Sequence, residues 1–515
     1  MCSTLPARVS GVEFALSNPL LALPFEPWLE GLGSQYWDVV EAASFPSSSL
    51  RFRNDELLCQ LGLDPAGVAD DHLAAAYGRF EERTPLLALR YHGYQFGTYN
   101  SQLGDGRGFL YGQLRDRHGD LQDLGTKGSG TTPWSRGGDG RLTLKGGVRE
   151  IIASEALHRL GVTTSRTLSL VETGEDLWRS DEPSPTRSSV MVRMARTHLR
   201  FGTCERLLHL RRPDLLEQLL RHVVLHYYPQ VAAAHPIVAT GSSQAQLLAF
   251  YGELVARVAR LTAEWMAAGF THGVLNTDNM SLAGESFDYG PFAFLDRWDP
   301  RFTAAYFDHS GLYAFGQQPS VTHHNLRLLQ EPLAMLLPRD GLEARLEGFA
   351  PAFDAHYRFC MGRRLGLVAQ FDSPGALPTD PESDPAEHPD AVVPTVQLLA
   401  AWDVGYGAFF AALATRIAVA GLPDTADELL PFVPGAPEPR RDRWRAWRDA
   451  WWEASRQVDP TNRDATASAL RRWNLPAPPI RPLIETIWDA IDQRDDWQPL
   501  QDWLAGTLWR SSDLS

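Results

Sequence analysis

The stretch THGVLNTDNMSLAGESFDYGPFAFLD, residues 271–296, decides the fold. A catalytic loop of the protein-kinase type reads H-R-D-L-x-x-x-N and is followed by D-F-G. With His272 on that His, Leu275 falls on the Leu, Asn279 on the Asn, and Asp288-Tyr289-Gly290 stands for D-F-G. Asn279 and Asp288 offer the hard oxygens that Mg²⁺ takes, an ion that needs only one or two protein carboxylates besides phosphate oxygens and water. One position departs from the pattern. Val274 stands where the catalytic Asp belongs, and valine accepts no proton. Asp278, beside Asn279, is the nearby carboxylate that can act as base, so ordinary phosphoryl transfer to a protein hydroxyl is disfavoured.

Three pieces upstream belong with this loop. QLGDGRG, residues 102–108, carries Gly104, Gly106 and Gly108; glycines let backbone N–H groups approach phosphate oxygens, although such loops are more often plain turns. Lys127, at the end of a strand-like run, precedes Glu150 in an amphipathic stretch. A strand lysine oriented by a helix glutamate is how kinase-like folds hold nucleotide phosphates. MVRMARTHLR, residues 191–200, places Arg193 and Arg200 seven apart, and arginine pairs suit bidentate capture of phosphate, against the plainer reading of ion-paired surface arginines.

The composition singles out the lysine. Of 48 Lys+Arg only Lys127 and Lys145 are lysines, leaving 46 arginines. A chain so committed to Arg keeps Lys where a guanidinium will not serve. Lys145 competes for the role but precedes the predicted helix across Gly146-Gly147, a poorer strand context.

The 515 residues, 44% hydrophobic and 22% charged, suit one large soluble globular protein or two compact units. A net charge of −15 argues against broad nucleic-acid binding, which needs a basic face. Cys2, Cys59, Cys204 and Cys360 are too scattered for a disulfide framework or a zinc cluster, which points to the reducing cytoplasm. Phe409 to Ala420 is short, contains Arg416, and reads as core rather than a membrane span. FALSNPLLALPF, residues 14–25, lacks a basic flank and is broken by prolines, unlike a signal peptide.

FLYGQLRDRHGDLQDLGTKG, residues 109–128, predicts a hairpin turning near His118-Gly119. GGVREIIASEALHRLG, residues 146–161, predicts a helix stopped by Gly161, and SRTLSLVET (165–173) and SSVMVRMA (188–195) predict strands. Beyond residue 205 the chain turns helical, with a long helix from Ser242 or Ser243 to Ala268, ended by Gly269. Trp444, Trp447, Trp451 and Trp452 share one helical face and are expected to be core packing. The expected fold class is α+β: a bilobal protein-kinase-like fold with a strand-rich N-lobe, a helical C-lobe and extensions at both ends. The expected division is 1–100 (N-terminal extension and start of the N-lobe), 101–205 (N-lobe), 206–371 (helical C-lobe with the catalytic and metal-binding loops), 372–394 (exposed connector) and 395–515 (helical C-terminal extension).

Taken with YHGYQFGTYNSQLGDGRG (91–108), TKGSGTTPWSRGGDGR (126–141), VREIIASEALHRLGVTTSRTLSLVE (148–172) and VRMARTHLRFG (192–202), the chain resembles the selenoprotein O (YdiU) family of kinase-like proteins over roughly residues 20–370. The resemblance implies transfer of AMP from ATP to Ser, Thr or Tyr hydroxyls of protein substrates, with ATP bound in reversed orientation and pyrophosphate released. It implies Gly104, Gly106, Arg107, Asp139 and Gly140 at the nucleotide, a Lys127–Glu150 pair, Arg193 and Arg200 on the terminal phosphates, Asp278 as proton acceptor, and Asn279 and Asp288 as ligands of Mg²⁺ or Mn²⁺. The implied enzyme is a cytoplasmic monomer with no nucleic-acid or membrane partner. UMP transfer to proteins and a catalytically inactive nucleotide-binding scaffold are the alternatives. Two departures from the family stand out: Thr131 replaces a usual Arg in the loop after Lys127, and WRSSDLS at the C-terminus has neither cysteine nor selenocysteine.

Overall fold

The computed structural model describes residues 18–180, 182–236, 243–367, 390–458 and 463–507. Its first half is built on strands β1 (Trp37–Val40), β2 (Ser49–Arg53), β3 (Leu86–Leu89), β4 (Gly93–Gln95), β5 (Thr98–Asn100), β6 (Leu110–Arg115), β7 (Leu121–Lys127), β8 (Leu142–Thr143), β9 (Arg166–Leu177) and β10 (Thr186–Ala195). Eight of these form one antiparallel sheet in the order β1-β3-β6-β7-β10-β9-β2, with β8 paired to β10; β4 and β5 form a separate hairpin. The first 100 residues therefore supply three strands of the same sheet. The predicted β6–β7 hairpin turns through residues 116–120, with Gly119 at φ 83°.

The predicted helix spans Leu144–Arg159 and packs on β9 and β10. It begins two residues earlier than the sequence suggests, and the position of Lys145 is corrected accordingly: it lies in the first turn, not ahead of the helix. The Thr143 hydroxyl accepts from the Gly146 N–H and caps the helix before the glycines. Gly147 is there for contact, since a Cβ would fall 2.4 Å from a Leu170 methyl. Gly161, at φ 80°, ends the element as expected.

From Phe201 onward the chain is mainly helical. The helix Gln244–Ala268 ends on Gly269 in the left-handed region. Ser243 does not cap it; its hydroxyl donates to Glu217 instead, and Ser242 lies outside the described residues. The catalytic-loop sequence begins in β11 (Phe270–Thr271), which pairs with β12 (Ala293–Phe294), so the intervening residues form a loop closed at its base. Among the described residues no helix is long and apolar enough to cross a membrane.

The C-terminal helices pack on both halves. Trp447 and Trp451 of helix Arg441–Val458 are fully buried with Phe409 and Met361, as expected for a core stripe. Ile484, Ile487 and Trp488 of helix Arg481–Arg494 share a core with Val148 and Ile151 of the Glu150 helix. The expected connector lies outside the described residues as far as 389. Its last part is not exposed linker, because Ala391 and Val392 are buried and helix Val392–Ala401 has begun.

Candidate functional site

A polar cleft opens where the end of β7 faces the residue 271–296 loop. It is lined by Asp105 to Leu110, Gly125 to Lys127, Arg193, His198, Arg200, Val274, Asn279, Asp288 and Gly290. Strand pairing builds one wall: Arg193 of β10 stands opposite Gly125 of β7, and Met191 opposite Lys127.

Lys127 is buried and ion-paired with Glu150, and its Nζ lies 3.2 Å from Asp288 Oδ1. Arg193 Nη1 reaches the same oxygen at 2.5 Å, and Arg200 Nη1 reaches Oδ2 at 3.3 Å. Three cations thus converge on one carboxylate. Burial alone would raise the pKa of Asp288, but Arg193, Lys127 and Arg200 outweigh it and hold the group well below the carboxylate range. Asp288 also has φ 63°, a strained backbone for a non-glycine residue. The guanidinium of Arg200 lies over the rings of Tyr91 (4.2 Å) and Phe287 (4.8 Å), which fixes its plane.

The glycine loop serves two purposes. Gly106, Arg107 and Gly108 line the cleft, and a Cβ on Gly108 would strike the Thr126 carbonyl at 2.0 Å. Gly104 faces away, packed beneath the Trp134 ring, where a Cβ would come within 2.3 Å. Asp139 and Gly140 are also absent from the cleft wall. Asp139 is half-exposed and ion-paired with Arg179 at 2.8 Å, while Gly140, at φ 70°, packs on the Gly130 carbonyl.

Asp278 sits in the turn Thr277–Asn279, and its carbonyl accepts from Arg200 at 2.9 Å. Its Oδ2 accepts a long 3.4 Å bond from Gln95, and its buried Oδ1 has no hydrogen-bond partner. Burial pushes the carboxyl up to about 6. The β4–β5 hairpin lies over it: the Tyr94 N–H donates to Thr277 Oγ1 (2.7 Å), and Thr277 donates to Glu205 (2.8 Å). Asp278 therefore lies beneath the hairpin, while Val274 lines the cleft.

Asn279 donates Nδ2 to the Val274 carbonyl at 2.8 Å, which leaves Oδ1 as its free acceptor. Asn279 and Asp288 both line the cleft, and their side-chain oxygens are of the donor type that Mg²⁺ or Mn²⁺ takes when phosphate and water oxygens complete the shell. Among the described residues no group of three or more His, Cys, Asp or Glu is placed to hold a metal unaided.

The motifs do not single out His198 and Asp105, which line the cleft, or Gln95, which donates to Asp278. His198 Nε2 accepts from Arg193 Nε (3.1 Å), and its Nδ1 faces Asp123 Oδ2 (3.3 Å), so a buried Asp–His pair orients the arginine. A Cβ at Gly125 would overlap the imidazole at 2.5 Å. The position of His198 between the two arginines is the signal the sequence offers; Asp123, 75 residues upstream, and Gly125 carry none.

The family model for protein adenylyltransferase SelO matches residues 19–507. Proteins called protein nucleotidyltransferase YdiU are similar along nearly the whole chain. That of Synechococcus elongatus is 52% identical over 501 residues, covering 96% of each chain, and that of Gloeobacter violaceus is 52% identical over 492 residues, again 96% of each. That of Azotobacter vinelandii is 37% identical over 406 residues, 78% of each chain.

Proposed function

The chain belongs to the SelO family of protein nucleotidyltransferases, and from that premise we propose that it transfers AMP from ATP to Ser, Thr or Tyr hydroxyls of other proteins. The sheet-rich and helical halves are read as the two lobes of a kinase-like fold, with ATP reversed in the cleft between them. The observation that carries the reading is the convergence of Lys127, Arg193 and Arg200 on Asp288. That much buried positive charge suits a polyphosphate leaving group, as preorganised cations stabilise charge that develops in the transition state.

In the proposed step the acceptor hydroxyl oxygen bonds to the α-phosphorus, the bond from that phosphorus to the bridging oxygen of the β-phosphate breaks, and pyrophosphate leaves. The hydroxyl proton passes to Asp278, whose Oδ1 has no hydrogen-bond partner but is buried beneath the β4–β5 hairpin, so the step requires that hairpin to move aside. Lys127, oriented by Glu150, and the two arginines bind the phosphates. His198 and Asp123 keep Arg193 in place. Asn279 and Asp288 would hold Mg²⁺ or Mn²⁺, which when bound neutralises phosphate charge. Gly106, Arg107 and Gly108 would approach the nucleotide, and Gly104 packs behind them on Trp134. Three free cysteines among the described residues, Cys59, Cys204 and Cys360, support action in a reducing cytoplasm.

The test is label position. Protein incubated with α-labelled ATP should label protein acceptors, and γ-labelled ATP should not. Label from the γ-position alone overturns the reading, tight ATP binding without label favours an inactive scaffold, and stronger labelling from α-labelled UTP makes the transferred group UMP.

A further inference from the structure

The turn of the β4–β5 hairpin is Phe96-Gly97, with φ 49° and 77°. Two successive positive φ values make a type I′ turn, which favours Asn-Gly; phenylalanine at the first position is strained. The ring does not repay that strain by burial, since Phe96 remains 39% exposed. Its N–H is held by Asn276 Oδ1 and Tyr313 Oη, both at 3.3 Å.

Phe96 has aromatic company. Its ring lies 4.9 Å from Tyr313 and 5.8 Å from Phe307, which in turn lies 5.1 Å from Tyr306. Tyr306 is 75% and Phe307 43% exposed. The loop that displays them is held in place: the buried Asp308 carboxylate accepts from the N–H groups of Leu312 (3.0 Å) and Tyr313 (2.8 Å), and Tyr313 Oη donates to Asn276 at 2.6 Å. The patch also borders the base, because Gln95, next to Phe96, donates to Asp278, and Asn276 is two residues before it. Strained backbone concentrates at functional positions, and exposed aromatics on a rigid frame mark binding surfaces.

We propose that Phe96, with Tyr306 and Phe307, is the specificity-determining surface that seats an apolar side chain of the acceptor polypeptide next to its hydroxyl; this rests on the transfer reading above. An acceptor protein bringing a hydroxyl to Asp278 carries its neighbouring residues past this patch, which is continuous with the base through Gln95 and Asn276. The occupant is thus an extended protein segment with a large apolar residue flanking Ser, Thr or Tyr.

Two peptide sets test this, one with the central Ser, Thr or Tyr flanked by Phe and Leu, the other by Ser and Gly. Each is used with the full chain for transfer from α-labelled ATP and, as a fluorescein conjugate, for binding by anisotropy. Wild type should prefer the apolar-flanked peptides by about tenfold in KM and Kd. The double variant Phe96→Asn, Phe307→Ser should lose that preference and keep kcat at saturation and ATP affinity. Because Asn favours the left-handed backbone, Phe96→Asn alone should melt no lower than wild type, which separates lost recognition from misfolding. Equal treatment of both peptide sets by wild type, or an undiminished preference in the double variant, overturns the proposal. So does a loss of activity that tracks dissociation of a dimer by light scattering, since the patch would then bind a second copy. A binding preference without α-label on any peptide supports the surface and removes the transfer reading.

Discussion

Arg200 donates a 2.9 Å hydrogen bond to the main-chain carbonyl of Asp278. The same Nη1 lies 3.3 Å from Asp288 Oδ2, so one guanidinium ties the loop bearing the proposed base to the carboxylate at the centre of the cation cluster. Lysine keeps the charge but has neither the planar fork nor the stacking on Tyr91 and Phe287. Arg200→Lys should therefore lower kcat for label transfer by about 10²-fold while the protein stays folded. Initial rates beside thermal melts decide it; near-wild-type rates would remove Arg200 from the leaving-group site.

The two lysines should behave oppositely. Lys127 is buried between Glu150 and Asp288, whereas Lys145, in the first helical turn, pairs with Glu485 at 2.7 Å near the surface. Lys127→Ala should cripple transfer. Lys145→Arg preserves the ion pair and should shift stability by no more than about 0.5 kcal/mol. A crippled Lys145→Arg protein with Lys127→Ala still active would reverse the assignment.

Asp278→Asn should trade activity for stability. Burial raises the folded carboxyl from 3.8 to about 6, so folding favours its neutral form. That contribution is complete below the ordinary value and is lost as pH rises through about 6, leaving a charge whose burial costs roughly 3 kcal/mol at neutral pH. Melting of Asp278→Asn should thus exceed wild type at pH 8 and converge with it at low pH, while transfer falls by about 10²–10⁴-fold. In the wild-type enzyme, transfer should decline as pH drops through about 6, where the base becomes protonated. A variant that melts below wild type at pH 8 would contradict the buried-charge account.

Chelation tests the role of Asp288. EDTA should abolish transfer by wild-type protein, and Mg²⁺ or Mn²⁺ should restore it. Asp288→Asn should stay inactive at every metal concentration and still bind ATP without metal at least as tightly as wild type, since Arg193, Lys127 and Arg200 lose their competing anion. Weaker metal-free binding would show that Asp288 organises those cations rather than competing for them.

The element types were legible in the chain because their causes are local. Hydrophobic spacing marked the Glu150 helix, Gly161 its stop and Gly269 that of the long helix, and the tryptophan stripe marked the buried face of helix Arg441–Val458. The sequence suggests a start for the Glu150 helix two residues too late, because the Thr143 hydroxyl caps it ahead of the two glycines. The motifs likewise named Lys127, Arg193, Arg200, Asn279 and Asp288, which line one cleft, and Glu150, which pairs with Lys127.

By itself, the sequence determined which residue types bear charge and in what order they come. Only the tertiary structure decided which of them meet. The glycine loop groups Gly104 with Gly106, and the family resemblance adds Asp139 at the nucleotide, yet the fold turns the first beneath Trp134 and pairs the other with Arg179. Nothing near His198 announces Asp123, and nothing near Asp278 announces the hairpin above it. The physical reason is that propensity and capping act over a few residues. Burial, charge convergence and the emptied hydrogen-bond shell of Asp278 arise from groups as far as 183 positions apart, brought together only when the sheet and the helical half close on each other.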